Sequence, residues 1–89
     1  MNMDQTTWRK LISKALEENG ESWRSVVKCT LTDSKLDAGF DCGFGGVEGK
    51  PFTLWTQQRV YFPAQYDGSE WVESVPRNPC NEVTKHVGG

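Results

Sequence analysis

Eighty-nine residues, ten basic and twelve acidic with a net charge of −2, hold a single small domain. A chain of this length buries only about 60–65% of the surface it exposes when unfolded, which leaves room for one core and a surface patch but not for a deep enclosed active site. No run approaches the roughly 18–20 apolar residues of a membrane span. The opening MNMDQTTWRK also lacks the apolar run of a secretory signal, so the expected compartment is the cytoplasm.

Trp8, Leu11, Ile12, Ala15 and Leu16 recur at helical spacing and predict an amphipathic helix from about Gln5 to Asn19. Asp4 is the expected N-cap, with Met3 stapled onto Trp8, and Asn19-Gly20 the expected stop. Its basic residues come early and Glu17 and Glu18 late, against the helix dipole, so the apolar stripe needs a sheet to dock on. From Trp23 the period changes to two. Trp23, Val27, Cys29 and Leu31 alternate with Arg24, Val26, Lys28 and Thr30, a half-buried strand over about residues 24–31, although Ser25 interrupts its apolar face and allows a start as late as Ser25 or Val26. Thr32 to Leu36 reads as one capped turn of helix with Leu36 facing inward.

Residues 39–51 are glycine-rich and predict a loop or an irregular strand, pinned by Phe40 and Phe44. The segment is no phosphate-binding loop: three residues rather than four separate Gly45 from Gly49-Lys50, and Pro51 stands where Ser or Thr is required. A dinucleotide-binding loop fails as well, because Glu48 occupies its last glycine position. Residues 52–76 then form a β-meander of Phe52–Thr56, Arg59–Tyr66 and Glu70–Val75, turning at Gln57-Gln58 and Asp67-Gly68. Pro63 cannot donate to a ladder, so its amide position belongs at an edge or a bulge. Residues 77–89 read as a loosely tied tail. The expected fold is α+β: an N-terminal amphipathic helix on an antiparallel sheet of about four strands, with a C-terminal meander.

Few residue groups suggest chemistry. Cys29, Cys42, Cys80 and His86 could supply a Cys₃His zinc site or a thiol-dependent one. Structural zinc sites, however, are built on close C-x₂₋₄-C pairs, which are missing here, so no cofactor is expected. An odd number of scattered cysteines fits reduced thiols rather than a secreted disulfide framework. Asp37 with Asp41, or Glu70 with Glu73, are paired carboxylates of the kind hydrolases use, but a domain this small offers little enclosure to tune them. The chain therefore reads as non-enzymatic. The terminal Gly88-Gly89 resembles the end of a conjugated ubiquitin-like protein, but that fold opens with a hairpin and this chain opens with a helix.

Two features point to binding. Residues 33–73 carry Asp33, Asp37, Asp41, Glu48, Asp67, Glu70 and Glu73 against Lys35, Lys50 and Arg59. Such a patch steers toward a basic protein partner and argues against direct nucleic-acid binding, which favours a basic stripe. In addition, Trp55, Tyr61, Tyr66 and Trp71 cannot all face one core if the strands alternate. Some lie on a second sheet face, either presented to a partner or covered by the N-terminal strand or the glycine loop.

The segments GESW, FDCGFGG and FTLWTQQRVYFPAQYDGSEWVESVPRNPC, spread over residues 20–88, resemble small accessory proteins of bacteriophages and other mobile elements. That resemblance implies a protein acting in a bacterial cytoplasm by occluding a host or defence complex, as anti-CRISPR proteins do. It brings no catalytic residues with it. The expected partner is a host protein, contacted through Asp37, Asp41, Glu48, Trp55, Tyr61, Asp67, Glu70 and Trp71. Pairing of copies through an exposed meander edge is a further possibility.

Overall fold

A computed structural model describes residues 5–41, 49–67 and 69–88. It has an α+β fold. In chain order come β1 (Gln5–Thr7), α1 (Trp8–Glu18), a 3-10 turn at Trp23–Ser25, β2 (Val26–Cys29), α2 (Asp33–Leu36), β3 (Gly39–Asp41), β4 (Leu54–Thr56), β5 (Arg59–Tyr66) and β6 (Ser69–Pro76). Four strands, in the spatial order β2-β4-β5-β6, form one antiparallel sheet, and β1 pairs with β3 in a separate two-stranded sheet.

The α1 stripe forms as its spacing predicts, burying Trp8, Ile12, Ala15 and Leu16. The helix starts later than expected because Gln5–Thr7 pair with Gly39–Asp41 as a strand, and the Thr7 hydroxyl, not Asp4, caps the helix by accepting Lys10 N–H at 3.2 Å. Asp4 and the Met3 staple lie outside the described residues. The stop is as expected: Asn19 is the C-cap, and Gly20 follows at φ +72°, a conformation that favours glycine.

The 24–31 strand departs from the simple alternation in two ways, the first being the start at Val26 that the Ser25 interruption allows. Trp23–Ser25 form a 3-10 turn, because the Ser22 and Ser25 side chains cap it reciprocally. Trp23 then docks on α1, its Nε1–H donating to Ser13 Oγ at 2.8 Å while the Arg9 guanidinium lies 5.2 Å from its ring. Second, the ladder shifts between Val26 and Lys28, which face Thr56 and Trp55 respectively. This bulge sets Val27 and Lys28 together opposite Trp55. Val26, Cys29 and Leu31 consequently pack on the core, and Val27 is 59% exposed.

α2 forms as predicted, capped by Thr32 with Leu36 buried. Part of the glycine-rich segment is strand (β3), and residues 42–48 lie outside the described set. The meander is present: β5 has the predicted bounds, β4 starts two residues later than expected, and β6 extends one residue further at each end. Asp67 takes φ 51° in its second turn. β4 pairs with β5 only at Val60 and Tyr61, so among the described residues Pro63 sits where β5 is bonded to β6 alone, opposite Val72. This is the edge-like position that proline needs.

The core lies between α1 and one face of the four-stranded sheet. Trp8, Ile12, Leu16 and Leu36 meet Phe52, Leu54 and Tyr61, with Trp8 4.9 Å from the Phe52 ring and 4.8 Å from the Phe40 ring. Rings of this size contribute most of the apolar area that a small core can bury.

Candidate interaction surface

The ladder registers divide the sheet into two faces. On the helix side lie Leu54, Tyr61 and Ser74 in one row, then Pro63 with Val72, and Gln65 with Glu70. On the outer side lie Trp55, Val60 and Val75 in one row, then Phe62 with Glu73, Ala64 with Trp71, and Tyr66 with Ser69. The bulge adds Val27 and Lys28 at the β2 end of the first row. Leu54 and Tyr61 are fully buried in the core. Among the described residues, Trp55, Val60, Phe62, Trp71 and Val75 belong neither to that core nor to the side chains packed around it. They are half-buried, and Tyr66 beside them is 54% exposed.

The other elements attach on the helix side. α1 contacts β6, β1 and α2, and Trp23 ties the 3-10 turn to it. The tail is tethered there as well. Arg59, whose Nε–H donates to Ser74 Oγ at 2.7 Å, grips the Glu82 carboxylate at 2.9 and 3.0 Å, and Asn19 of α1 donates to the same Ser74 hydroxyl. The tail borders a cleft of about 470 Å³ between α1 and β6, lined by Ala15, Asn19, Val72, Glu82 and Val87 among others. Among the described residues, the outer face thus presents an aromatic, largely apolar patch with one basic residue, Lys28, at one margin and one acidic residue, Glu73, at the other. Trp71 Nε1–H donates to Glu73 Oε2 at 2.7 Å and fixes that carboxylate at the patch. Apolar side chains left half-exposed together outside a core are the material of interaction sites.

The eight residues expected to bind a partner separate on this scaffold. Trp55 and Trp71 share the outer face, and Asp67 stands at the hairpin tip beyond Tyr66. Asp37 is exposed but sits by α1, where it and Asp33 bind Arg9 and hold its guanidinium pKa above the ordinary value, the Asp37 hydrogen bond contributing most. Asp41 closes β3 opposite Gln5, and Glu48 lies outside the described residues. Two placements must be corrected. Tyr61 is fully buried on the helix side and donates to Glu21, and Glu70 is 5% exposed with both carboxylate oxygens on Gly49 N–H. Neither presents its side chain to a partner, so the acidic patch is smaller than the composition implies.

Val27, Val60, Phe62 and Val75 are the outer-face residues that the sequence reading missed. For Val60 and Phe62 the signal lies in the alternation of Val60, Phe62, Ala64 and Tyr66, the more apolar row of β5, which looks like a core row until Tyr61 is seen to take that role. Among the described residues, no three His, Cys, Asp or Glu side chains gather as metal ligands, and Cys42 lies outside them. Cys29 is half-buried at the sheet and Cys80 is exposed in the tail. No helix among the described residues is long and apolar enough to cross a membrane. Comparison with protein-family models, with curated proteins and with solved structures found no match to this chain.

Proposed function

We propose that this chain is a non-enzymatic binding module that uses the outer face of its four-stranded sheet to occupy a host protein, as an accessory protein of a phage or other mobile element would in a bacterial cytoplasm. The observation that carries the reading is the row of Trp55, Val60 and Val75 with Phe62 and Trp71 beside it, aromatic and apolar yet outside the core. Tryptophan and tyrosine dominate binding hot spots because a rigid ring buries large area at small entropic cost. Inhibition of a defence or nucleic-acid-handling protein fits the acidic balance of residues 33–73, which suits a partner with a basic surface. Asp67 at the hairpin tip extends that charge to the margin of the patch.

The test is affinity capture from bacterial lysate, comparing the native chain with a Trp55→Ser, Phe62→Ser, Trp71→Ser variant whose fold is checked by circular dichroism. One stoichiometric partner, lost in the folded variant, supports the reading. A partner retained by that variant places the working surface elsewhere, and charge reversal at Asp37 and Asp41 then tests the acidic side.

A further inference from the structure

We infer that the outer face also pairs with itself, two copies stacking sheet on sheet about a twofold axis parallel to the strands, in an idle dimer that a partner has to displace. The inference rests on the outer face being the working surface. A twofold interface must be self-complementary, each contact occurring twice. Sheets stack about 10 Å apart with strands within about 30° of each other. An axis along the strands reverses the order β2-β4-β5-β6, laying β2 over the partner's β6 and β4 over its β5, while each row stays at its own level. Trp55 then meets the second copy's Val60. Val27 and Lys28 meet the second copy's β6 at Val75, with Glu73 one row away. The basic margin of one face therefore falls on the acidic margin of the other, twice. An axis across the strands would instead lay β2 on β2 and leave Lys28 and Glu73 at opposite edges. The charges thus select one of the two stackings, and the apolar rows between them supply the contact area. The bulge contributes by turning Val27, 59% exposed, toward the same face.

Sedimentation velocity of the purified full chain, from micromolar to millimolar concentration, tests this. The expected result is a concentration-dependent shift from a 10.0 kDa species to one of twice that mass. Lys28→Glu alone and Glu73→Lys alone should each weaken the dimer by about tenfold, since two pairs become like-charged, and the double exchange should restore it. A chain that stays monomeric at millimolar concentration overturns the inference, as does a dimer whose affinity the double exchange fails to restore. A monomer that still captures a host protein through Trp55, Phe62 and Trp71 overturns the dimer alone. A dimer rescued by the exchange, from a chain that captures nothing, upholds the dimer and removes the host-partner reading.

Discussion

Glu70 accepts the backbone N–H of Gly49 with both carboxylate oxygens, at 3.0 and 3.2 Å, inside the structure rather than on its surface. Beside this contact the indole Nε1–H of Trp8 donates to the carbonyl of Lys50 at 3.0 Å. The chain leaving the glycine-rich segment is therefore held between the first turn of α1 and β6.

The clasp makes Gly49 a steric requirement. A Cβ there would stand 2.6 Å from Trp8 Cζ2 and 2.8 Å from Glu70 Oε1. Gly49→Ala should destabilise the fold by about 1–3 kcal/mol through overpacking, as read by urea unfolding. An unchanged midpoint would show that the Trp8 ring yields without cost.

Acid should release the tail before it unfolds the domain. The Arg59 hydrogen bonds hold the Glu82 carboxyl below its ordinary value of 4.5. A carboxyl lowered in the folded state contributes fully above the ordinary value, and the contribution is lost as pH falls through the lowered one. Backbone amide NMR relaxation should therefore show residues 83–87 loosening in that acid window while α1 stays ordered, and Glu82→Gln should remove the step. Equal order of residues 83–87 at pH 7 and in acid would contradict the tether.

Tyr61 behaves in the opposite sense. Burial foremost, and then its hydrogen bond to Glu21, raise the phenol well above its ordinary value of 10.0. The neutral phenol's bond contributes fully below that value and is lost as pH rises through the raised one. Alkaline titration followed by phenolate absorbance should show a late component that is absent in Tyr61→Phe. That variant should also lose about 1 kcal/mol of stability at neutral pH, or more if Glu21 is left without a substitute donor. A titration without the late component would place the phenol in contact with water.

Where local pattern determines structure, the sequence was informative. The Trp8–Leu16 stripe, the Asn19-Gly20 stop, the Thr32 cap and the turn at Asp67 each depend on neighbouring residues alone, and the helix and meander follow from them. What was missed depends on distant partners. Gln5–Thr7 carry no strand pattern and become β1 only because Gly39–Asp41 lie alongside. The extra residue at Val27 shifts the alternation of β2, and no period of two contains it. The site was half legible for the same reason. Trp55 and Trp71 stand out as large rings on a meander, whereas the inward placement of Tyr61 and Glu70 depends on Glu21 and Gly49 across the fold.

The bulge at Val27 and the proline at position 63 also limit how this molecule can grow. An unpaired strand edge invites another chain to hydrogen-bond along it, and repetition of that step produces fibres. Two residues opposing one break the regular ladder spacing on β2, and Pro63 withholds an amide where β5 is bonded on one side only. Strand addition is blocked at both places. Contacts made through the flat of the sheet come to an end once that flat is covered, so the half-buried rings of the outer face favour small closed assemblies over strand-by-strand growth at these two places.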